Sequence, residues 1–558
     1  EELDQVAGFD PNWGTMTTID AGRVQVPVPG GGTLEHNLRD GVNAEIRQVG
    51  GDIQLDLGQG WSVRNNFRMM SGSVDFNAMF SLSNPTTAEA FAQAQMDALG
   101  GTGFAYSVAN TGAAVSDPAT LPVGVDAANG LVVESGWWNV HRPFNMFANE
   151  LRLTKQFEEV DNTLTGAFYF TDFSSDEVWN FNNVLIDVQG GNGEHARLLD
   201  LAVTGTDDGA VQVTDNGFTR YGAFYRNAAN NGHAFVGWLQ DEWSPHEQVT
   251  LNAGLRFESR TLDGNTEVLG EFDLGGPTLA DDQVTWGTGQ FKPYRENYDE
   301  LAVSGGVNVD LVPDRVAVFA RATDGYRTPD FDQFAEQTGA GSPIARPATE
   351  EVQQYEAGLK YSSSTVGAFV TGFWSKLDNT PFSDEVVDEE TGDLVPLNLL
   401  ADSETFGLEA EVVAEPVPGA RLDVTATIQN PEISNLRFDG PAVGGVTDEE
   451  LAQLDGNQVT RIPKVIVSAT PSYRAELPGD RSFSIFGTWR YLGDRFNDFA
   501  NRNLLPDYSR LDAGFDLGIT PRVTVQTRVE NITNSIGLTE GNPRVGQLLG
   551  APASLRMA

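Results

Sequence analysis

The side chains best placed for chemistry in this chain are rings and guanidiniums, because the usual reactive groups are scarce. None of the 558 residues is a cysteine, which removes disulfides, thiolate metal ligands and cysteine nucleophiles together. The five histidines (His36, His141, His195, His233, His246) are scattered, and no pair has the i, i+4 spacing of a helical zinc site. Carboxylate pairs such as Glu158-Glu159, Glu389-Glu390 and Glu449-Glu450 read as solvated loop charge, since nothing beside them would separate two pKa values for acid and base work. The sequence therefore predicts no catalytic constellation and calls for no cofactor. Recognition is what remains. Trp137, Trp138, Trp179, Phe181, Trp286 and Tyr294 fall in long connecting stretches, where flat rings with polar neighbours can stack on a sugar face or a planar chelate, or pack one loop on another. Arg327 and Arg346 bracket much of a long loop and suit an anionic ligand, or else pair with the plentiful acids. Haem is disfavoured there, because 328–350 holds no histidine. Asp384, Asp388 and Glu390 are weak Ca²⁺ candidates, lacking the spaced ligands and fixed glycine of a calcium loop.

Such groups need a scaffold, and the scaffold signal is a strict period of two. Val249, Leu251, Ala253, Leu255 and Phe257 alternate with Thr250, Asn252, Gly254 and Arg256, so one face of this segment is wholly apolar. Leu301 to Leu311 repeats the pattern, and Val312-Pro313-Asp314-Arg315 turns it into Val316, Val318, Ala320 and Ala322. Hairpins of this kind recur along the chain and give about 18 strands, too many for one sandwich. Their connections alternate in length. Turns after Leu57, Phe157, Trp243, Leu311, Tyr361, Ala475 and Ile519 are short, whereas 71–145, 174–217, 261–298, 325–350, 378–403, 430–463 and 492–508 read as long loops. Two helices are predicted inside those loops: one opening at Thr86-Thr87-Ala88-Glu89 and ending at Gly100, and a shorter one from Thr447-Asp448-Glu449-Glu450 through Leu454.

No run of 18 apolar residues occurs, which argues against a membrane-spanning helix, but a spanning strand needs only about 9 to 11 residues. Charged groups such as Arg256, Asp310, Glu356, Lys360, Asp512 and Asp516 sit opposite the apolar face, as for a wet lumen. Trp243, Tyr361, Trp374, Tyr473, Trp489 and Tyr491 gather near strand ends, as in an aromatic belt. The predicted fold is all-β: a transmembrane antiparallel β-barrel with long extracellular loops. Its net charge is −44, from 35 Lys+Arg against 79 Asp+Glu, which excludes an electrostatic nucleic-acid binder. Because the lipid-facing positions are almost uncharged, the acids must crowd the lumen and the loops, and an anionic ligand would need an arginine-lined site of its own.

Several segments then resemble a known family, the TonB-dependent outer-membrane receptors. Phe235-Val-Gly-Trp-Leu-Gln-Asp-Glu-Trp243 followed by Val249 to Phe257 is similar to a barrel hairpin of that family, and Gly325-Tyr-Arg-Thr-Pro-Asp330 resembles its Arg-Ala-Pro loop start. Glu350 to Lys360, Leu505 to Asp512 and Val529-Glu-Asn-Ile-Thr-Asn534 match later family patterns in order. The resemblance implies a barrel of about 22 strands in a Gram-negative outer membrane. It further implies uptake of a scarce nutrient, a ferric siderophore or an oligosaccharide, through a TonB-type periplasmic coupling protein. Outer-membrane lipid and lipopolysaccharide would be partners, the latter reached by divalent bridges from acidic loops. Nothing here resembles the family's plug or coupling box, and Glu1, Glu2 and Asp4 are unlike the basic start of a signal segment. Residues 1–40 read as an extracellular loop or early barrel part and 41–558 as the barrel, with both ends expected to be trimmed. A passive pore or structural outer-membrane protein, and a surface β-repeat adhesin, remain the other readings.

Overall fold

The computed structural model describes residues 7, 18, 20 and 22–558, apart from 83–84, 123–127, 192–193, 340–342, 388–393, 440–445, 543–553 and 558. The alternating segments form sixteen long strands. The first eight are β1 (Val42–Gly58), β2 (Trp61–Ser81), β3 (Leu131–Phe157), β4 (Asn162–Asp187), β5 (Phe218–His246), β6 (Val249–Phe272), β7 (Val284–Val312) and β8 (Val316–Arg327). The second eight are β9 (Glu350–Ser362), β10 (Val366–Val387), β11 (Leu394–Val417), β12 (Ala420–Phe438), β13 (Val465–Leu477), β14 (Arg481–Leu492), β15 (Tyr508–Thr520) and β16 (Val523–Val529). Each pairs with its sequence neighbour, and β16 meets β1 to close the ring; the two-residue stub Thr86–Thr87 lies on β3.

Sixteen is fewer than the 18 strands counted in the sequence and the 22 implied by the resemblance. The segment at Phe218 to Tyr225 is the upper end of β5 rather than a strand of its own, and the C-terminal pair Leu538–Asn542 with Ser554–Met557 forms a separate small sheet. All eight hairpin turns at one end take two to four residues. At Gly419 the tightness is visible: φ is +87°, and a Cβ there would lie 2.2 Å from the Arg474 carbonyl oxygen. The opposite end carries every long connection, but these are shorter than the sequence suggested, spanning 82–130, 188–217, 273–283, 328–349, 388–393, 439–464 and 493–507. Strands such as β4, at 26 residues, run to more than twice the length that crosses a bilayer, and above it the sequence no longer alternates because both faces are buried.

Near the tight turns the wall has two distinct faces. Leu251, Leu255 and Phe257 pair with Val307, Val303 and Leu301, all turned outward, while Thr250, Asn252 and Arg256 turn in. The same outward face continues through Leu359 opposite Val370 and Leu408 opposite Ile428 to Ile485 opposite Phe515. Lys155 interrupts it close to a turn, where its ammonium reaches the Gln59 carbonyl and lies 5.3 Å from the Trp61 and Phe157 rings. Trp61, Phe157, Trp243, Tyr361 and Tyr473 ring the turn end; Phe257, Trp374 and Trp489 lie eight residues up their strands. Among the described residues no helix is long and apolar enough to cross a membrane.

Buried apolar side chains sit almost wholly in the cap at the long-loop end. Helix α1 (Ala88–Leu99) is capped by Thr87 Oγ1, which accepts from the Ala90 N–H, and ends at Gly100 with φ +65°. The first threonine of the predicted pair is thus outside the helix. Ala88, Ala92 and Met96 of α1 pack with Leu199, Leu201 and Val203 of a four-stranded sheet drawn from two different loops. The hairpin Val24–Val28 with Gly32–His36 joins the same end, with Val26 packed among Val133, Trp137 and Val184. Helix α2 (Asp332–Ala335) lies in the 328–349 connection, and α3 (Asp448–Ala452) carries the predicted capping box between Thr447 and Glu450.

Candidate ligand-binding site

The structure divides the aromatic candidates. Trp137 is wholly enclosed, packed at 5.7 Å from His36 and 6.1 Å from Phe218, so it holds the cap together and offers no face to a ligand. Trp138 and Phe181 stack on each other at 4.4 Å and 4°, which spends a face of each on the other. Trp286 lies 4.1 Å from Tyr225, and Tyr294 stacks on Phe334 at 4.3 Å while its hydroxyl donates to Asn230 Oδ1. Trp179 differs from these. Its ring has the Arg226 guanidinium 4.2 Å away and that of Arg142 5.4 Å away, and its Nε1 donates to Glu177 Oε2 at 2.9 Å.

Arg327 and Arg346 are exposed and do not meet. Arg327 pairs with Asp330 at 2.7 Å and Glu350 at 3.3 Å; Arg346 pairs with Glu296 at 3.4 Å and covers the Tyr298 ring at 4.5 Å. Of the weak calcium candidates, Asp384 belongs to β10, its side chain outside the description, and Asp388 and Glu390 fall outside the described residues. Among the described residues no group of His, Asp and Glu is arranged to hold a metal ion.

Around Trp179 lies a charge cluster that the sequence reading missed. Arg142 on β3, Glu177 on β4 and Arg226 on β5 are brought side by side by strand pairing, since Asn227 faces Val178 and His141 also faces Val178. Glu177 is 1% exposed and Arg226 3%. Glu177 accepts from Arg142 at 2.5 Å and lies 3.5 Å from Arg226. Two further carboxylates arrive from the 328–349 connection: Asp332 bonds Arg142, and Glu336 comes within 3.4 Å of Arg226. Burial raises the proton affinity of Glu336, partly offset by Arg226. Only knowledge of which way each upper strand faces would have found this group, and that is where alternation fails.

The segment from Thr328 to Glu336 lies as a strap against the lumenal side of β3 to β7. Thr328 Oγ1 accepts from Arg260, Phe331 packs on Phe173 at 5.4 Å, Phe334 is fully buried, and the Ala335 carbonyl accepts from Thr266 Oγ1 at 3.0 Å. Beneath it is a cavity of about 680 Å³ lined by Glu150, Tyr169, Arg256, Glu258, Arg260 and Arg327 among others, with Thr328 and Asp330 on its rim. A cavity lined by paired guanidiniums and carboxylates together with tyrosines can hold a hydrogen-bonding solute, charged or neutral.

A model of the family described as TonB dependent receptor-like, beta-barrel, matches residues 4–532. No curated protein matches the chain. Among solved structures, the ferric preacinetobactin receptor BauA from Acinetobacter baumannii is 12% identical with a TM-score of 0.54, over 99% of this chain and 65% of that one. The structure of the FpvAI–pyocin S2 complex is 14% identical with a TM-score of 0.52, over 98% of this chain and 59% of that one. The ferric yersiniabactin uptake receptor FyuA from Yersinia pestis is 13% identical with a TM-score of 0.49, over 96% and 72%. This chain spans less than two thirds of the first two, and such identities speak to fold alone. With a closed antiparallel wall, tight turns at one end, loops at the other and a match over residues 4–532, the chain belongs to the TonB-dependent receptor β-barrel family, whose members are outer-membrane barrels of Gram-negative bacteria.

Proposed function

We propose that this chain is the barrel of an outer-membrane receptor that takes up a scarce small solute, energised through a TonB-type periplasmic coupling protein. The observation that carries the reading is an open-mouthed cavity of about 680 Å³, lined by arginines and tyrosines and edged by the start of the strap, within a family barrel. A passive pore gains from an unobstructed lumen, whereas a receptor gains from a concave site with a few placed polar groups. The lining supports a polar solute class: a ferric chelate or an oligosaccharide suits guanidiniums, carboxylates and tyrosines better than a neutral apolar molecule does. The printed name of BauA is that of a ferric preacinetobactin receptor, which is compatible with this class.

The test is growth of a deletion strain on single iron or carbon sources, paired with uptake of the radiolabelled source. Energised transport is expected to stop when an uncoupler collapses the inner-membrane proton gradient. Uptake that persists under the uncoupler, together with swelling of liposomes in small sugars, would replace this reading with a passive pore.

A further inference from the structure

We infer that Arg142 and Arg226 form a receptor site for a polycarboxylate, and that Asp332 and Glu336 of the strap stand in for its carboxylates until it binds; this deepens the uptake reading and rests on it. The first argument is the poor fit of the present partners. Arg226 is 3% exposed, yet its Nε and Nη1 find no hydrogen-bond acceptor among the described residues. Its carboxylate neighbours stand at 3.5 and 3.4 Å, longer than the roughly 2.7–2.9 Å of a charge-assisted bond. A buried guanidinium with idle donors is costly, so an acceptor of better geometry is favoured over the strap.

The second argument is which charges can leave. Glu177 belongs to the wall and is enclosed, but the side chains of Asp332 and Glu336 are 44% and 34% exposed. Withdrawing those two changes the cluster from two cations against three anions to two cations against one. The strap would not be lost in the exchange, because Phe334 against Tyr294 and the Ala335–Thr266 hydrogen bond hold it independently of the acids. Trp179 lies against both guanidiniums and is fixed by Glu177, so the site is built before the ligand comes.

The third argument sets the valence. Side chains four apart on a helical turn stand roughly 5–6 Å apart at Cβ, and the two arginines answer such a pair one to one. A single carboxylate would displace one strap acid and leave the other; a ligand with two or three carboxylates displaces both. Arg260 and Arg256, in the chamber below, provide the next cationic positions inward.

The experiment is titration calorimetry on the full chain in detergent micelles, its folding checked by gel migration before and after heating. The probe is tricarballylate, with acetate, inorganic phosphate and the neutral trimethyl ester as comparisons. Saturable tricarballylate binding is expected, at least tenfold tighter than acetate or phosphate, with none for the ester. Asp332→Asn/Glu336→Gln removes the competitor and should tighten binding at least tenfold, while Arg142→Gln should weaken it at least tenfold in a barrel that still shifts on heating. Equal affinity for the parent and the double variant overturns the proposal, whatever the arginine variant does, and so does phosphate binding as tightly as tricarballylate. Arginine-dependent binding without energised uptake in cells would remove the uptake reading alone; energised uptake of another solute with no tricarballylate binding would remove this proposal alone.

Discussion

At the last residue of β4, well above the upper aromatic ring, the Asp187 side chain is fully enclosed. Its Oδ1 accepts from the Arg197 N–H at 2.7 Å, and its Oδ2 has no hydrogen-bond partner among the described residues. Burial pushes its pKa up to about 6, against the pull of Arg197. The folded cap therefore holds this proton more tightly than an unfolded chain would. Stability falls as pH rises from the ordinary aspartate value through about 6, then stays low, by on the order of 2–3 kcal/mol at about 1.4 kcal/mol per pKa unit. Hydrogen exchange at 185–191 and 194–200, relative to the intrinsic base-catalysed rate, is expected to be faster at pH 8 than at pH 5. Asp187→Asn should slow it at pH 8 and flatten the dependence, and an unchanged profile in that variant would assign the effect to another group.

At the scale of elements, what the sequence disclosed depended on the solvent each segment meets. Where lipid lies on one side, every second residue must be apolar, and β6, β7 and β9 could be read nearly residue by residue. Higher up, Val132, Val133, Ser135, Gly136 and Trp137 of β3 are all buried, so alternation vanishes and strand looks like loop. Hence the sequence leaves Trp137 open between ligand stacking and packing, of which the fold shows packing, and it gives no sign of Arg142, Glu177 and Arg226, which stand in this same upper zone. Trp179 was legible as a ring in the right region, but not its two guanidiniums. The helices were legible because their ends announce themselves chemically. Thr447 Oγ1 accepts from the Glu450 N–H while Glu450 returns a bond to the Thr447 N–H, seating Leu451 against Ile433 and Leu399. Thr447→Ala should cost this loop about 1 kcal/mol, seen as several-fold faster hydrogen exchange over 448–454 with the barrel's melting unchanged.

For the molecule as a whole, the net charge of −44 has found its places. The outward face between the two rings is almost free of charge, Lys155 and Asp241 near the turns being departures, and acids concentrate in the lumen and cap, where arginines answer only some of them. Two solvents thus govern one chain: water sets the stability of the cap, with its own apolar cores, and lipid sets that of the wall. The spacing of the rings adds something further. Eight residues at about 3.4 Å each, on strands inclined by about 40°, separate them by roughly 20 Å of height. The rings act as a gauge of membrane thickness, and a thin one at that. Reconstitution should be most complete in lipids with twelve-carbon chains and fall off towards eighteen, scored by the fraction that migrates as folded. In a bilayer of mixed chain lengths, the protein would gather the short lipids around itself and so choose its neighbours without binding any of them.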